Sequence, residues 1–246
     1  QGDRKDSMIT SETIRRWAIT QQTTEINIAR EYVQHLFLAE LYRQRGSQQL
    51  LFKGGTALRL AYHSPRFSED LDFSGFGVRM GDIEEWVVHA SAALEQLGLG
   101  LTIEESKKTS GGYLGILAVT VSGHRTQILL EVSQRRKSGV SGHGMLISSD
   151  FAPAYTAVLL PQELLVEEKL EALLTRAKPR DFFDCYFMLR QKMILPKHQP
   201  QLQSARAVIT KTRLNFKSEL SDFLPRSHHP TIANFKAVLL AELDRW

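Results

Sequence analysis

The sequence predicts an α+β fold in which a mixed β-sheet flanked by helices is followed by a helical C-terminal region. Three observations carry this reading: a strand, a Gly-Gly turn and a helix in succession around residues 49–62, alternating strand patterns across 101–133, and helical periodicity from residue 161 onward. With 246 residues and 42% hydrophobic composition, the chain has material for one large core or two small ones. Disorder as its main state is thereby excluded.

Residues 1–7 read as an expression remnant ahead of Met8, taken as the native start, and are set aside. The spacing predicts a helix over 25–45, capped by Thr24, with Ile28, Val33, Leu36, Phe37 and Leu41 at helical intervals and Gly46 as its stop. An apolar run at 49–52 then meets Gly54-Gly55, and 56–62 is again helical. In 70–73 carboxylates alternate with apolar residues, which is strand periodicity. A helix over 81–97, begun near Asp82, places Ile83, Trp86, Val87, Ala90, Leu94 and Leu97 on its apolar side. Strands at 101–105, 114–121 and 127–133, separated by Gly111-Gly112 and Ser122-Gly123, form an expected antiparallel meander. Further helices are expected over 161–177, 181–192, 203–212 and 231–246, with Pro161 and Pro179 near the first two starts.

The formal net charge of +4 is unevenly spread. Residues 1–133 carry 14 basic against 16 acidic side chains and residues 134–246 carry 17 against 11, so the halves are −2 and +6. This asymmetry suits a metal site next to a polyanion-binding surface, although proteins that touch no nucleic acid share it. Cys185 has no cysteine partner for a disulfide or a zinc site and lies in the apolar run 182–189, as a buried inert thiol would. No apolar stretch approaches the roughly 20 residues of a membrane helix, and no signal peptide is visible. A soluble cytoplasmic protein is expected.

The chemistry concentrates in Lys53-Gly54-Gly55-Thr56-Ala57-Leu58-Arg59 and Arg66-Phe67-Ser68-Glu69-Asp70-Leu71-Asp72-Phe73. A Gly-Gly turn opening a helix lets the backbone approach a phosphate, and the helix N-terminus offers N–H groups; the same turn also occurs without any ligand. Asp70 and Asp72 project from one face of a strand. Their repulsion is on the order of 4 kcal/mol at about 4 Å, so a basic side chain, a proton or a divalent cation must neutralise them. Glu131 interrupts the apolar strand 128–133 and either faces solvent or meets a cation.

A second cluster lies on the later helices. Lys169 and Arg176 are two turns apart on one face, and Asp181 and Asp184 are neighbours at a spacing of three. Taken alone, Lys169 reads as a solvated or salt-bridged lysine, Glu168 as an exposed helical charge and Arg180 with Asp184 as a surface pair.

Together, Lys53-Gly54-Gly55-Thr56, Arg66 through Asp72, Glu168-Lys169-Leu170-Glu171-Ala172-Leu173, Arg176 and Arg180-Asp181-Phe182-Phe183-Asp184 occur in an order that resembles the AbiEii/AbiGii-type nucleotidyltransferase toxins of bacterial toxin–antitoxin systems. The similarity runs from about residue 25 to 190. It implies a DNA polymerase β-like nucleotidyltransferase core over 8–150 and a helical region over 151–246 that completes the active site. It implies an NTP site that Gly55 and Thr56 begin and to which Lys53, Gly54, Arg66 and Ser68 of the core and Arg176, Arg180 and Asp181 of the helical region contribute. It further implies catalytic roles for Asp70, Asp72, Lys169 and Asp184, and magnesium held by Asp70 and Asp72, with Glu131 as a third carboxylate. No motif beyond residue 190 carries over.

The expected reaction transfers NMP from an NTP to an acceptor with release of pyrophosphate, using two Mg²⁺ ions. Phosphoryl-type chemistry is chiefly positioning and charge neutralisation, so Lys169, assisted by Arg176 or Arg180, would neutralise the triphosphate while Asp184, with Asp181, orients Lys169 or contacts the nucleotide. The resemblance suggests an RNA acceptor such as the 3′ end of tRNA, and a cognate antitoxin as a further partner. Arg135, Arg136, Lys137, Lys178, Arg180, Lys211, Arg213 and Lys217 would follow a phosphate backbone or form a solvated face. Two alternatives stand beside this reading: NMP transfer to a protein hydroxyl, such as that of an antitoxin, and a catalytically silent module that binds RNA or protein.

Overall fold

The structure is a computed structural model that describes residues 9–135 and 139–246. Residues 1–7, Met8, Arg136 and Lys137, on which sequence expectations fell, lie outside the described residues. The chain divides into two compact units, one taking in the residues up to His63 and Phe67–Leu160, the other Ser64–Arg66 and Pro161–Trp246.

The first unit is a mixed sheet with helices. Its strands are β1 (Leu50–Lys53), β2 (Leu71–Phe76), β3 (Gly100–Thr109), β4 (Gly112–Val121), β5 (His124–Arg135), β6 (His143–Ile147) and β7 (Tyr155–Leu159), in the order β3-β4-β5-β2-β1-β7-β6. Pairing is antiparallel except between β1 and β7 and between β2 and β5. Its helices are α1 (Ser11–Thr20), α2 (Glu25–Arg43), α3 (Gly54–Tyr62) and α4 (Met80–Gln96). The expected meander is β3-β4-β5. Ser122 (φ 48°) and Gly123 (φ 82°) form the two-residue turn between β4 and β5, both residues adopting the left-handed conformation that matches strand twist. The other turn is Ser110-Gly111, because Gly112 already pairs with Thr109 in the ladder.

Thr24 caps α2 as expected, its hydroxyl accepting from the Asn27 N–H at 3.3 Å. The helix ends at Arg43, ahead of Gly46, which takes its left-handed φ of 92° at the start of a 3₁₀ turn instead. More unexpectedly, α2 is buried around most of its circumference: beside Ile28, Val33, Phe37 and Leu41 it buries Asn27, Glu31, Gln34 and His35. A helix this enclosed lies inside the unit, packed against β5, β7, α1 and α4. Its charges are therefore partnered. Glu31 accepts from Arg59 of α3 through both carboxylate oxygens, at 2.7 and 3.2 Å, and the guanidinium also reaches Gln21 at 2.8 Å while covering the Phe67 ring at 3.9 Å. The buried fork fixes the direction of α3, and with it the direction of the helix end at Gly54.

The second unit is helical: α5 (Gln162–Thr175), α6 (Pro179–Arg190), α7 (Gln199–Lys211), α8 (Phe216–Leu220), α9 (His229–Ala233) and α10 (Phe235–Leu243). A single terminal helix over 231–246 does not form, since α9 and α10 break at Asn234. Phe182, Phe183, Phe216 and Phe235 build its aromatic core, with Phe183 stacked on Phe235 at 5.8 Å between ring centres. Cys185 is buried there and its thiol is pushed up to about 12, by burial first and by the neighbouring Asp184 second. Among the described residues no helix is long and apolar enough to cross a membrane.

Helix α1 and strands β6 and β7 have no counterpart in the sequence expectation. The patterns were short: α1 buries only Ile14 and Ala18, and β6 and β7 span five residues each. Gly112 offers a direct check of the sheet. Its φ is 155°, and a Cβ there would lie 1.8 Å from the Val132 carbonyl oxygen, a backbone atom that cannot swing aside. Gly112→Ala is expected to cost about 3 kcal/mol or more, whereas Gly111→Ala, which meets nothing within 4 Å, should stay within about 0.5 kcal/mol; urea titration of both variants measures the difference.

Candidate active site

Two clusters of sequence-predicted residues form, one in each unit. In the first, β1, β2, β5 and β4 align Lys53, Asp72, Glu131 and Leu114 in one row across the sheet. Residues in register on neighbouring strands share a face, so the Asp72 and Glu131 side chains rise from the same side about 5 Å apart at the backbone. Asp70 sits one residue ahead of β2 and Glu131 is exposed. Among the described residues no three carboxylate, imidazole or thiol groups are gathered around one point as a formed metal site.

The helix α3 begins at Gly54, straight out of β1. Gly54 has φ 80°, and a Cβ on it would fall 2.0 Å from Oδ2 of Asp72 and 2.8 Å from its Cβ. The first turn of α3 and the Asp72 carboxylate thus approach each other as closely as they do only because residue 54 has no side chain. Thr56 is fully buried in the same turn, and its hydroxyl donates to the Asp70 carbonyl. That hydroxyl ties the helix start to the segment that delivers the acids. Asp70 and Asp72, beside the start of α3, are the residues that could hold a divalent cation of the magnesium kind, which takes one or two carboxylates and completes its shell with water and phosphate oxygens. Ser68 is partly exposed and Lys53 is buried.

The second cluster is centred on Asp184, which is buried in α6 with its side chain 1% exposed. Arg66 grips it with two parallel bonds, Nε at 2.9 Å and the terminal nitrogen at 3.0 Å, and Lys169 of α5 donates at 2.7 Å. Burial raises the Asp184 carboxyl, but the two cations outweigh it and hold the group below the ordinary carboxylate range. One negative charge is thus shared by two positive ones. The Arg180–Asp184 surface pair open to the sequence reading does not form; Arg180 holds its Nε in a buried position without a hydrogen-bond partner.

Asp181 has a different role from its neighbour. It is fully buried, accepts two bonds from Arg176 at 2.7 and 2.9 Å, and caps α6 by accepting from the Lys178 N–H at 3.0 Å. The motif spanning Arg66 to Asp72 is consequently divided, Arg66 joining Lys169 and Asp184 while Asp70 and Asp72 join Gly54 and Thr56. Gln34 was missed by the sequence reading: its amide is bonded to the Ser68 and Glu69 carbonyls at 3.0 Å each. Its burial had no local signal, since Gln34 is one of several polar residues along α2.

Known proteins bear on this arrangement at two levels. In fold the chain is similar to the crystal structure of a proposed nucleotidyltransferase from Helicobacter pylori, with TM-score 0.59 and 18% identity over 90% of this chain and 98% of that one. It is likewise similar to JHP933 from Helicobacter pylori, with TM-score 0.58 and 18% identity over 91% and 95% of the two chains. No curated protein matches the sequence. At the level of family, the model described as "Nucleotidyl transferase AbiEii toxin, Type IV TA system" matches residues 36–242, a span that takes in both clusters. This chain therefore belongs to the AbiEii family of toxins and is a nucleotidyltransferase.

Proposed function

We propose that the enzyme transfers NMP from an NTP to the 3′ end of an RNA, a tRNA above all, in a magnesium-dependent reaction that releases pyrophosphate. The observation that carries this reading is the contact between Gly54 and Asp72, where a carboxylate stands against a side-chain-free helix start. Phosphate oxygens favour the N–H groups and partial positive charge of such a helix end, and a cation favours the carboxylate. A metal triphosphate presents both chemistries at once.

In this scheme Asp70 and Asp72 hold the metal, with Glu131 as the third carboxylate, and Gly54, Gly55 and Lys53 receive the phosphates. Two bound Mg²⁺ ions would supply Lewis acidity toward the acceptor hydroxyl and the leaving pyrophosphate. Asp184 orients Lys169 and Arg66, which we assign to the triphosphate, as we do Arg176 and Arg180. Asp181 supports this set by holding Arg176. The basic residues Lys178, Lys211, Arg213 and Lys217 are assigned to the acceptor backbone, and a cognate antitoxin to control of the activity.

Purified protein incubated with each labelled NTP, Mg²⁺, total RNA and cell lysate is expected to label RNA of tRNA size. Label on protein alone would instead establish transfer to a protein hydroxyl, and no label with any NTP would establish a silent binding module. Asp72→Ala should fold normally and lose at least about 100-fold in transfer. Gly54→Ala should lose transfer while costing about 1–3 kcal/mol in stability, because it combines a strained φ with displacement of the Asp72 carboxylate; a fully active variant would show that the close approach is immaterial.

Asp184 gives a further expectation. Asp184→Asn leaves two buried cations without their counter-charge and should destabilise the second unit by about 3–5 kcal/mol. A carboxyl held below its ordinary value contributes stability that is complete above the unfolded value of about 4 and is lost as pH falls through the folded one. The difference between wild type and Asp184→Asn should therefore be constant at neutral pH and shrink below about pH 4, as urea midpoints at a series of pH values will show.

A further inference from the structure

Helix α2 carries two polar side chains one turn apart, Arg30 and Gln34, on a helix that is otherwise largely buried. Gln34 is 1% exposed, and the two hydrogens of its amide nitrogen meet two successive carbonyls, Ser68 and Glu69, at 3.0 Å each. The next carbonyl in the chain, that of Asp70, accepts from Thr56. Arg30 pairs with the Glu69 carboxylate at 3.1 Å, and its Nε donates at 3.1 Å to Thr126 of β5, the strand that carries Glu131. Three consecutive carbonyls are thus held by side chains from two helices, directly before the strand that presents Asp72.

A primary amide is well suited to this position. It offers two neutral N–H donors from one atom, while an ionised Glu offers none and Met offers none. Burying an amide is costly unless its hydrogen bonds are made, so a site that satisfies both donors on adjacent carbonyls holds the backbone firmly. We infer that Gln34 is a positioning residue for the acid pair: by fixing the backbone of residues 68–70 it sets the aim of Asp70 and Asp72 at a divalent cation. The inference rests on the metal-binding reading of those two acids. Gln34 itself touches neither metal nor nucleotide.

Two variants and a control test it, each examined for folding, for NMP transfer and, independently of activity, for Mn²⁺ affinity by electron paramagnetic resonance. Gln34→Met keeps the length of the side chain and removes both donors. It should remain folded, bind Mn²⁺ about 10- to 100-fold more weakly and lose a similar factor in kcat, with KM for the NTP within about twofold. Gln34→Glu should be impaired at pH 8 and regain activity relative to wild type as pH falls to 6, because a protonated carboxyl restores one donor. Should Gln34→Met fail to fold, the pH ratio of Gln34→Glu decides. A folded Gln34→Met with wild-type kcat and Mn²⁺ affinity, or a Gln34→Glu ratio that does not move with pH, overturns the inference while leaving the metal reading intact. Equal Mn²⁺ affinity in wild type and Asp72→Ala would overturn the metal reading, and the inference with it.

Discussion

A carboxylate set against a glycine is the constraint on which the arrangement of the first unit depends. Asp72 occupies space that any side chain at residue 54 would claim, so β2 can lie beside β1 in the observed register only with glycine at the start of α3. That register is what aligns Lys53, Asp72 and Glu131 in one row. The same glycine brings the first turn of α3, largely buried at Gly55 and Thr56, against a negative charge.

The central helix α2 gives this arrangement its rigidity. Most of its surface is buried, and the polar groups it carries inward are matched one by one: Glu31 with Arg59, Gln34 with two carbonyls, His35 with the Tyr155 hydroxyl at 3.0 Å. Burial also lowers His35 to about 4, with the Arg59 charge acting in the same direction, so the ring stays neutral at physiological pH. Through Arg59 the helix orients α3, and through Gln34 and Arg30 it holds the segment that leads into β2. Elements distant in sequence are thus referred to one rigid rod.

The second unit follows another principle, the shared buried charge. Asp184 serves two cations and Asp181 serves one, and both acids are fully enclosed. Enclosed charges of this kind are poor sources of net stability but costly to break, and they hold their partners in fixed directions. Lys169 and Arg66 are thereby held oriented instead of searching through rotamers. The Phe-Phe pair between the two acids packs into the aromatic core, which keeps α6 from turning.

The sequence by itself determined the fold class, the family, the helices α2 to α7 within a few residues and the meander β3-β4-β5, because each rests on local periodicity, capping or turn chemistry. It also singled out Gly54, Thr56, Asp70, Asp72, Lys169 and Asp184 as candidate positions, since small residues, paired acids and helical spacing are local features. What it left open was partnership. Whether Asp184 would meet Arg180 four residues away or Arg66 more than a hundred away, that Thr56 would donate to the Asp70 carbonyl, and why Gln34 is buried all depend on contacts between distant segments. Burial and hydrogen-bond geometry settle such questions, and both come into being only when the strands and helices have packed.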